Sequence, residues 1–150
     1  MRRLFAALSV LVLAGCSPAE APAPSPELTA PAAVLGGVEL AGPLRAIGTE
    51  PFWSVDLTGT EMVYTSPEPP GQRARQPEPV VRGTTATWAA ETADGTTFKV
   101  TLVATECSDG MSDRTYPLTA MVTVGERALT GCAASTAAIT SSGESGPVVG

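Results

Sequence analysis

From about Val38 to Ala138 the apolar residues recur at every second position, and β-branched residues are plentiful where helix formers are few. That period places alternate side chains on opposite faces of an extended chain, so the pattern predicts antiparallel β-structure. The clearest segment is Thr96 to Glu106. Phe98, Val100, Leu102 and Ala104 share one face there, and Thr97, Lys99 and Thr101 share the other. It follows Asp94-Gly95, a pair suited to a tight turn, with Thr85 to Ala90 as its partner strand. A second hairpin is expected between Phe52 to Leu57 and Glu61 to Ser66 through Thr58-Gly59-Thr60. A third joins Leu118 to Val124 with Ala128 to Ala133 through Gly125-Glu126-Arg127. Adding Leu44 to Ile47 and Val80 to Arg82 gives about eight strands in up-and-down order. The expected fold is all-β, a small antiparallel up-and-down barrel or a sandwich. A barrel is favoured because closure removes exposed edges. Five prolines between Pro67 and Pro79 forbid a central strand in that stretch.

The flanks read differently. Arg2 and Arg3 precede an apolar run from Leu4 to Ala14, the charged and apolar regions of an export signal. Eleven residues at about 1.5 Å each do not cross a hydrocarbon layer of about 30 Å. The run ends in Leu13-Ala14-Gly15-Cys16, which resembles the lipobox of bacterial lipoproteins. That resemblance implies cleavage before Cys16, lipidation of its thiol with diacylglycerol, and acylation, commonly by palmitate, of the new amino group. Several acyl chains at about 0.8 kcal/mol per buried methylene hold a protein on its bilayer. Ser17 follows instead of an Asp, so the same resemblance implies the outer membrane, facing the periplasm. Residues 16–37 are rich in Pro and Ala and are expected to form an extended tether. Residues 38–138 are expected to form the β domain. Residues 139–150, rich in Ser and Gly, are expected to fray.

Composition then narrows the chemistry. The 150 residues contain no His, which excludes His-based nucleophilic triads, His-ligated zinc and His-ligated haem. No cofactor or metal is expected. Without the leader's two arginines, seven basic residues stand against 15 acidic ones, a formal charge of −8. An acidic body with one lysine repels phosphate backbones, so nucleic acid is not an expected partner. Setting Cys16 aside leaves Cys107 and Cys132, a pair expected to be disulfide-bonded in an oxidising compartment. Closing a loop of about 26 residues contributes roughly 3.5 kcal/mol in the chain-entropy treatment.

Two segments crowd polar and aromatic residues outside the alternation, Gly48-Thr49-Glu50-Pro51-Phe52-Trp53 and Cys107-Ser108-Asp109-Gly110-Met111-Ser112-Asp113-Arg114-Thr115-Tyr116-Pro117. With Leu129-Thr130-Gly131-Cys132 they resemble a family of small bacterial envelope proteins, many of them lipoproteins, that carries G-x-E-P-F-W, C-x-D-x-M-S-D-x-x-Y-P and L-x-G-C in this order. The likeness spans about Leu44 to Ala133 and implies no particular activity. It is also similar to small envelope barrels such as lysozyme inhibitors, whose Lys- and Trp-bearing signatures are not present here.

These segments supply the candidate surface: Glu50, Trp53, Asp109, Ser112, Asp113, Arg114 and Tyr116. Asp, Gly and Ser clusters commonly make turns through side-chain to backbone bonds. Arg114 is expected to pair with a carboxylate such as Glu50 or Asp109, and the Tyr116 hydroxyl with a backbone group. Trp53 and Trp88 read more readily as core. The sequence therefore points to a lipid-anchored envelope protein acting as a binding or structural module, with a basic protein such as a lysozyme as a partner of suitable charge. The alternative is a small carboxylate-based hydrolase using Glu50 with Asp109 or Asp113, since a carboxyl against aromatic walls has its proton affinity raised. Small size and the lack of His favour the non-enzymatic module.

Overall fold

The computed structural model describes residues 33–149. The expected leader, Cys16 and all but the end of the tether lie outside the described residues. The alternating pattern is realised as strands throughout. A short hairpin of β1 (Val34–Leu35) and β2 (Val38–Glu39) comes first, followed by β3 (Leu44–Thr49), β4 (Phe52–Leu57), β5 (Glu61–Thr65) and β6 (Gln72–Arg75). Then come β7 (Val80–Arg82), β8 (Thr85–Glu91), β9 (Thr97–Val103), β10 (Cys107–Ser108) and β11 (Asp113–Tyr116). The chain continues with β12 (Leu118–Val124), β13 (Arg127–Ser135), α1 (Thr136–Ser141) and β14 (Ser145–Pro147).

Nine of these strands form one antiparallel sheet in the order β6-β5-β4-β3-β13-β12-β9-β8-β7. Read as a ring, this is the expected up-and-down succession. The closing step is the pairing of β13 with β3, Cys132 opposite Ile47 and Ser135 opposite Leu44. The ring is not hydrogen-bonded all the way round, because β6 and β7 are both edges. The sheet is a curled half-barrel, and its break falls where Pro77 and Pro79 lack the N–H a ladder needs. Gln72–Arg75, within the proline-rich stretch, is nonetheless a strand. It is free of proline and occupies the edge.

The inward positions of the alternation meet in one core. Trp88, Phe98, Leu102, Val55 and Met62 are fully buried there. The β1–β2 hairpin adds Leu35, Val38 and Leu40 to the same core, so the tether ends several residues earlier than its composition implies. Its tight turn uses Gly36 and Gly37 at φ 56° and 82°.

On β13 three consecutive residues, Cys132, Ala133 and Ala134, are buried, which a one-faced strand does not allow. Ala133 points into the main core, whereas Cys132 and Ala134 point outward into a second core with Tyr116, Ala138 and Val148. The cover over that outer face is α1 together with a small sheet, β10-β11-β14. There β14 runs parallel to β11, with Arg114 opposite Gly146. The segment expected to fray therefore folds back. The Ser135 hydroxyl caps α1 by accepting from the Ala138 N–H (3.1 Å), and Val148 is 1% exposed. Ser and Gly dominate this segment, but Ala138, Ile139 and Val148 need only a shallow apolar seat.

Candidate functional site

The three conspicuous segments converge at one end of the β3–β13 joint. Trp53 is opposite Gly48 in the β3–β4 ladder, and its indole lies across both Gly48 and Gly131. A Cβ on Gly48 would sit 2.0 Å from the indole Nε1. A Cβ on Gly131 would sit 2.0 Å from the Ile47 carbonyl oxygen and 2.9 Å from Trp53 Cζ2. Gly48 is therefore the space into which the ring packs, and Gly131 is the space for the Ile47 carbonyl, with the ring edge beside it. Trp53 is 5% exposed, so it belongs to the core and not to the candidate surface.

One residue beyond Gly131, Cys132 is bonded to Cys107 with their Cα atoms 5.5 Å apart. This disulfide fixes the start of the polar loop against β13. Inside the loop the Asp109 carboxylate accepts from the Met111 N–H (3.0 Å), the Ser112 N–H (2.8 Å), the Ser112 hydroxyl (2.7 Å) and the Tyr116 hydroxyl (3.1 Å). The Asp109 carbonyl in turn accepts from the Thr49 hydroxyl at 2.9 Å, which ties the loop to the β3–β4 turn. Partial burial pushes the Asp109 carboxyl up, but the bonds from Ser112, Met111 and Tyr116 outweigh it and hold its pKa at about 2. The same arrangement, led by burial, raises the Tyr116 hydroxyl above its ordinary value.

Two expected partnerships are replaced. Arg114 forms no ion pair among the described residues. It donates from Nε to the Gly143 carbonyl (2.6 Å) and from Nη2 to the Ser142 carbonyl (2.9 Å), clamping the segment that leads to β14. Glu50 is out of the running because it stands exposed at the β3–β4 turn, and Asp109 because its oxygens are already engaged. The Tyr116 hydroxyl meets the Asp109 side chain instead of a backbone group, because Tyr116 is 1% exposed and the loop folds over it.

Of the candidate surface, then, Asp109, Ser112 and Tyr116 are spent inside the loop, and Trp53 and Arg114 hold neighbouring elements. Glu50 and Asp113 remain exposed. Between the β3–β4 turn and the loop lies a cleft of about 350 Å³ lined by Thr49, Glu50, Asp109, Met111 and Gly131. Two large apolar side chains stand out at this end, Phe52 at 56% exposure and Met111 at 66%. Neither is among the residues singled out from sequence. For Phe52 the signal was present: with Trp53, Val55 and Leu57 facing inward, parity puts Phe52 outside. For Met111, flanked by turn-forming residues, there was none. Among the described residues no group of three or more Cys, Asp or Glu converges as a metal site requires, and no helix is long and apolar enough to cross a membrane.

Comparison with family models, with curated proteins and with solved structures finds no match for this chain. No enzyme family or fold is thereby indicated. Asp109, as one half of a hydrolytic pair, is a poor proton donor at neutral pH because its charged form is the one its four donors stabilise.

Proposed function

We propose that the protein is a lipid-anchored module of the bacterial cell envelope that binds a partner protein at the rim where the β3–β4 turn meets the disulfide-pinned loop. Anchoring through Cys16 to the outer membrane, facing the periplasm, rests on the sequence of the first seventeen residues. The observation that carries the binding reading is how thoroughly the loop is fixed. Cys107 is bonded to Cys132, Asp109 gathers four donors, Thr49 holds the loop backbone, and Arg114 clamps the following segment. A rim fixed in advance loses little conformational freedom on association. Its outward groups, Glu50, Asp113, Phe52 and Met111, are free to face a partner. The acidic chain favours a basic partner such as a lysozyme, whose approach long-range attraction would speed.

The carboxylate-pair hydrolase is the weaker reading because Asp109 is committed to the loop and Asp113 and Glu50 are both exposed.

Two measurements test the proposal. Palmitate labelling of the wild type should disappear in Cys16→Ser, and labelling that persists there refutes the anchor. A basic lysozyme passed over the full chain should associate at a rate that falls steeply with salt. Lack of association with lysozyme and with every other basic envelope protein refutes the partner.

A further inference from the structure

Resting on the reading of this end of the molecule as a binding rim, the structure assigns the chemistry of what binds there: we propose a cationic amphipathic segment, with an apolar side chain seated between Phe52 and Met111 and flanking lysines or arginines against the carboxylates around them. Three grooves meet at this end, and Ile47 lines all of them. The cleft beside the β3–β4 turn is about 350 Å³. A second groove of about 730 Å³ runs past Met111 to Glu144, and a third of about 540 Å³ runs past Phe52 to Pro67. Met111 lines the first two grooves and Phe52 the third, with Ile47 common to all of them. The groove beside Phe52 is walled almost wholly by carbon and bears no charged residue. A groove walled in this way offers a seat for an apolar side chain, and Met and Phe are suited to lining it.

The rim chooses the occupant. Glu50, Asp109, Asp113 and Glu144 line the two polar grooves against a single guanidinium, Arg114, which is already turned to two carbonyls. Glu50, Asp113 and Glu144 are exposed. A second copy meeting this face about a twofold axis would set these carboxylates against themselves. An anionic lipid surface would be repelled in the same way. A sugar would find few polar groups beside Phe52 to fix its hydroxyls. A segment that alternates cationic and apolar side chains satisfies the groove and the rim together.

The test uses the full chain in a mild non-ionic detergent, with detergent alone as the blank, and a fluorescent dodecapeptide of alternating lysine and leucine as probe. Fluorescence anisotropy should show binding that weakens about tenfold between low and moderate salt. The double variant Phe52→Ser, Met111→Ser should bind about tenfold or more weakly at an unchanged melting temperature. Should the double variant melt early, Met111→Ser alone carries the comparison, since that side chain is 66% exposed at the loop tip. The triple variant Glu50→Gln, Asp113→Asn, Glu144→Gln should lose most of the salt dependence. Equal affinity of wild type and variants, equal affinity for a glutamate and leucine counterpart, or preference for phosphatidylglycerol vesicles overturns the assignment. Lysozyme run in parallel separates the two failures. Capture of lysozyme that survives Phe52→Ser, Met111→Ser but is lost in the triple carboxylate variant removes the apolar seat alone, whereas no capture of lysozyme or peptide by the wild type removes the binding reading as well.

Discussion

Gly48 and Gly131 both border the Trp53 ring, but for different reasons, and a pair of double-mutant cycles separates them. Neither glycine needs a left-handed backbone, so alanine at either position acts through space alone. At Gly48 the three nearest atoms to the added Cβ, at 2.0, 2.3 and 2.8 Å, all belong to the Trp53 indole. At Gly131 the nearest, at 2.0 Å, is the Ile47 carbonyl oxygen of the neighbouring strand. Forcing a methyl into a packed site costs about 1 to 3 kcal/mol, more where backbone must move. Gly48→Ala should fall in that range, and Gly131→Ala should reach or exceed about 3 kcal/mol because β3 and β13 would have to part. Trp53→Leu removes every indole atom near Gly48 at a cost of about 2 to 4 kcal/mol for the lost burial. The double variant Gly48→Ala, Trp53→Leu should therefore be less destabilised than the sum of its parts by about 1 to 3 kcal/mol. Gly131→Ala, Trp53→Leu should stay close to additive, since the carbonyl remains. Urea unfolding under non-reducing conditions supplies all the terms, against a total stability of about 5 to 15 kcal/mol for a small domain. A coupling near zero at Gly48 would show that Trp53 is not what that position accommodates, and an equal coupling at Gly131 would show that the ring, not the Ile47 carbonyl, limits that position.

Other expectations follow from the loop. Because the folded Asp109 carboxyl is held at about 2, below its ordinary 3.8, its stabilising contribution is fully present above about pH 4 and is lost as pH falls through about 2. Acid unfolding of Asp109→Asn should lack that component, and superimposable wild-type and variant acid curves would contradict the assignment. Arg114→Ala should release the clamp on Ser142 and Gly143, so amides from Glu144 to Val148 should exchange faster with deuterium while those of β9 and β12 do not change. Replacing both Cys107 and Cys132 by serine should destabilise the domain by roughly 3.5 kcal/mol, and a loss under about 1 kcal/mol by urea titration would show that the loop is held without it.

The inward face of nearly every sheet strand was legible in the sequence because burial on one side leaves a period of two, and Asp94-Gly95 and Gly125-Glu126 marked their turns. The pairing of Cys107 with Cys132 was legible from the cysteine count, since setting Cys16 aside leaves a single pair. What escaped has physical reasons. Cys132-Ala133-Ala134 breaks the alternation because an outer layer covers β13, and small residues carry too weak a hydrophobic signal to announce it. The parallel strand β14 has three residues and one nearby buried side chain, Val148, too few for any period to show. At the candidate site the segments do come together, but the roles of the side chains within them were not legible. Asp109, Ser112 and Tyr116 satisfy one another across the loop, and only the three-dimensional path of the chain distinguishes a carboxylate offered to solvent from one already saturated. Phe52 was masked by its neighbour Trp53, whose larger ring drew the attention that parity assigns to the residue before it.

The pairing of β3 with β13 has a kinetic meaning. Leu44 and Ser135 are neighbours across that ladder but far apart along the chain, so the seam cannot form until nearly all of the domain is present, and the entropy of closing so long a loop is borne late. Hairpins such as β8–β9 can come and go early, yet the joint beside Trp53 waits for the final strand of the sheet. The covalent lock answers to a shorter clock, because Cys107 and Cys132 lie only 25 residues apart and the β9–β12–β13 meander alone sets them side by side, before the seam with β3 has to close.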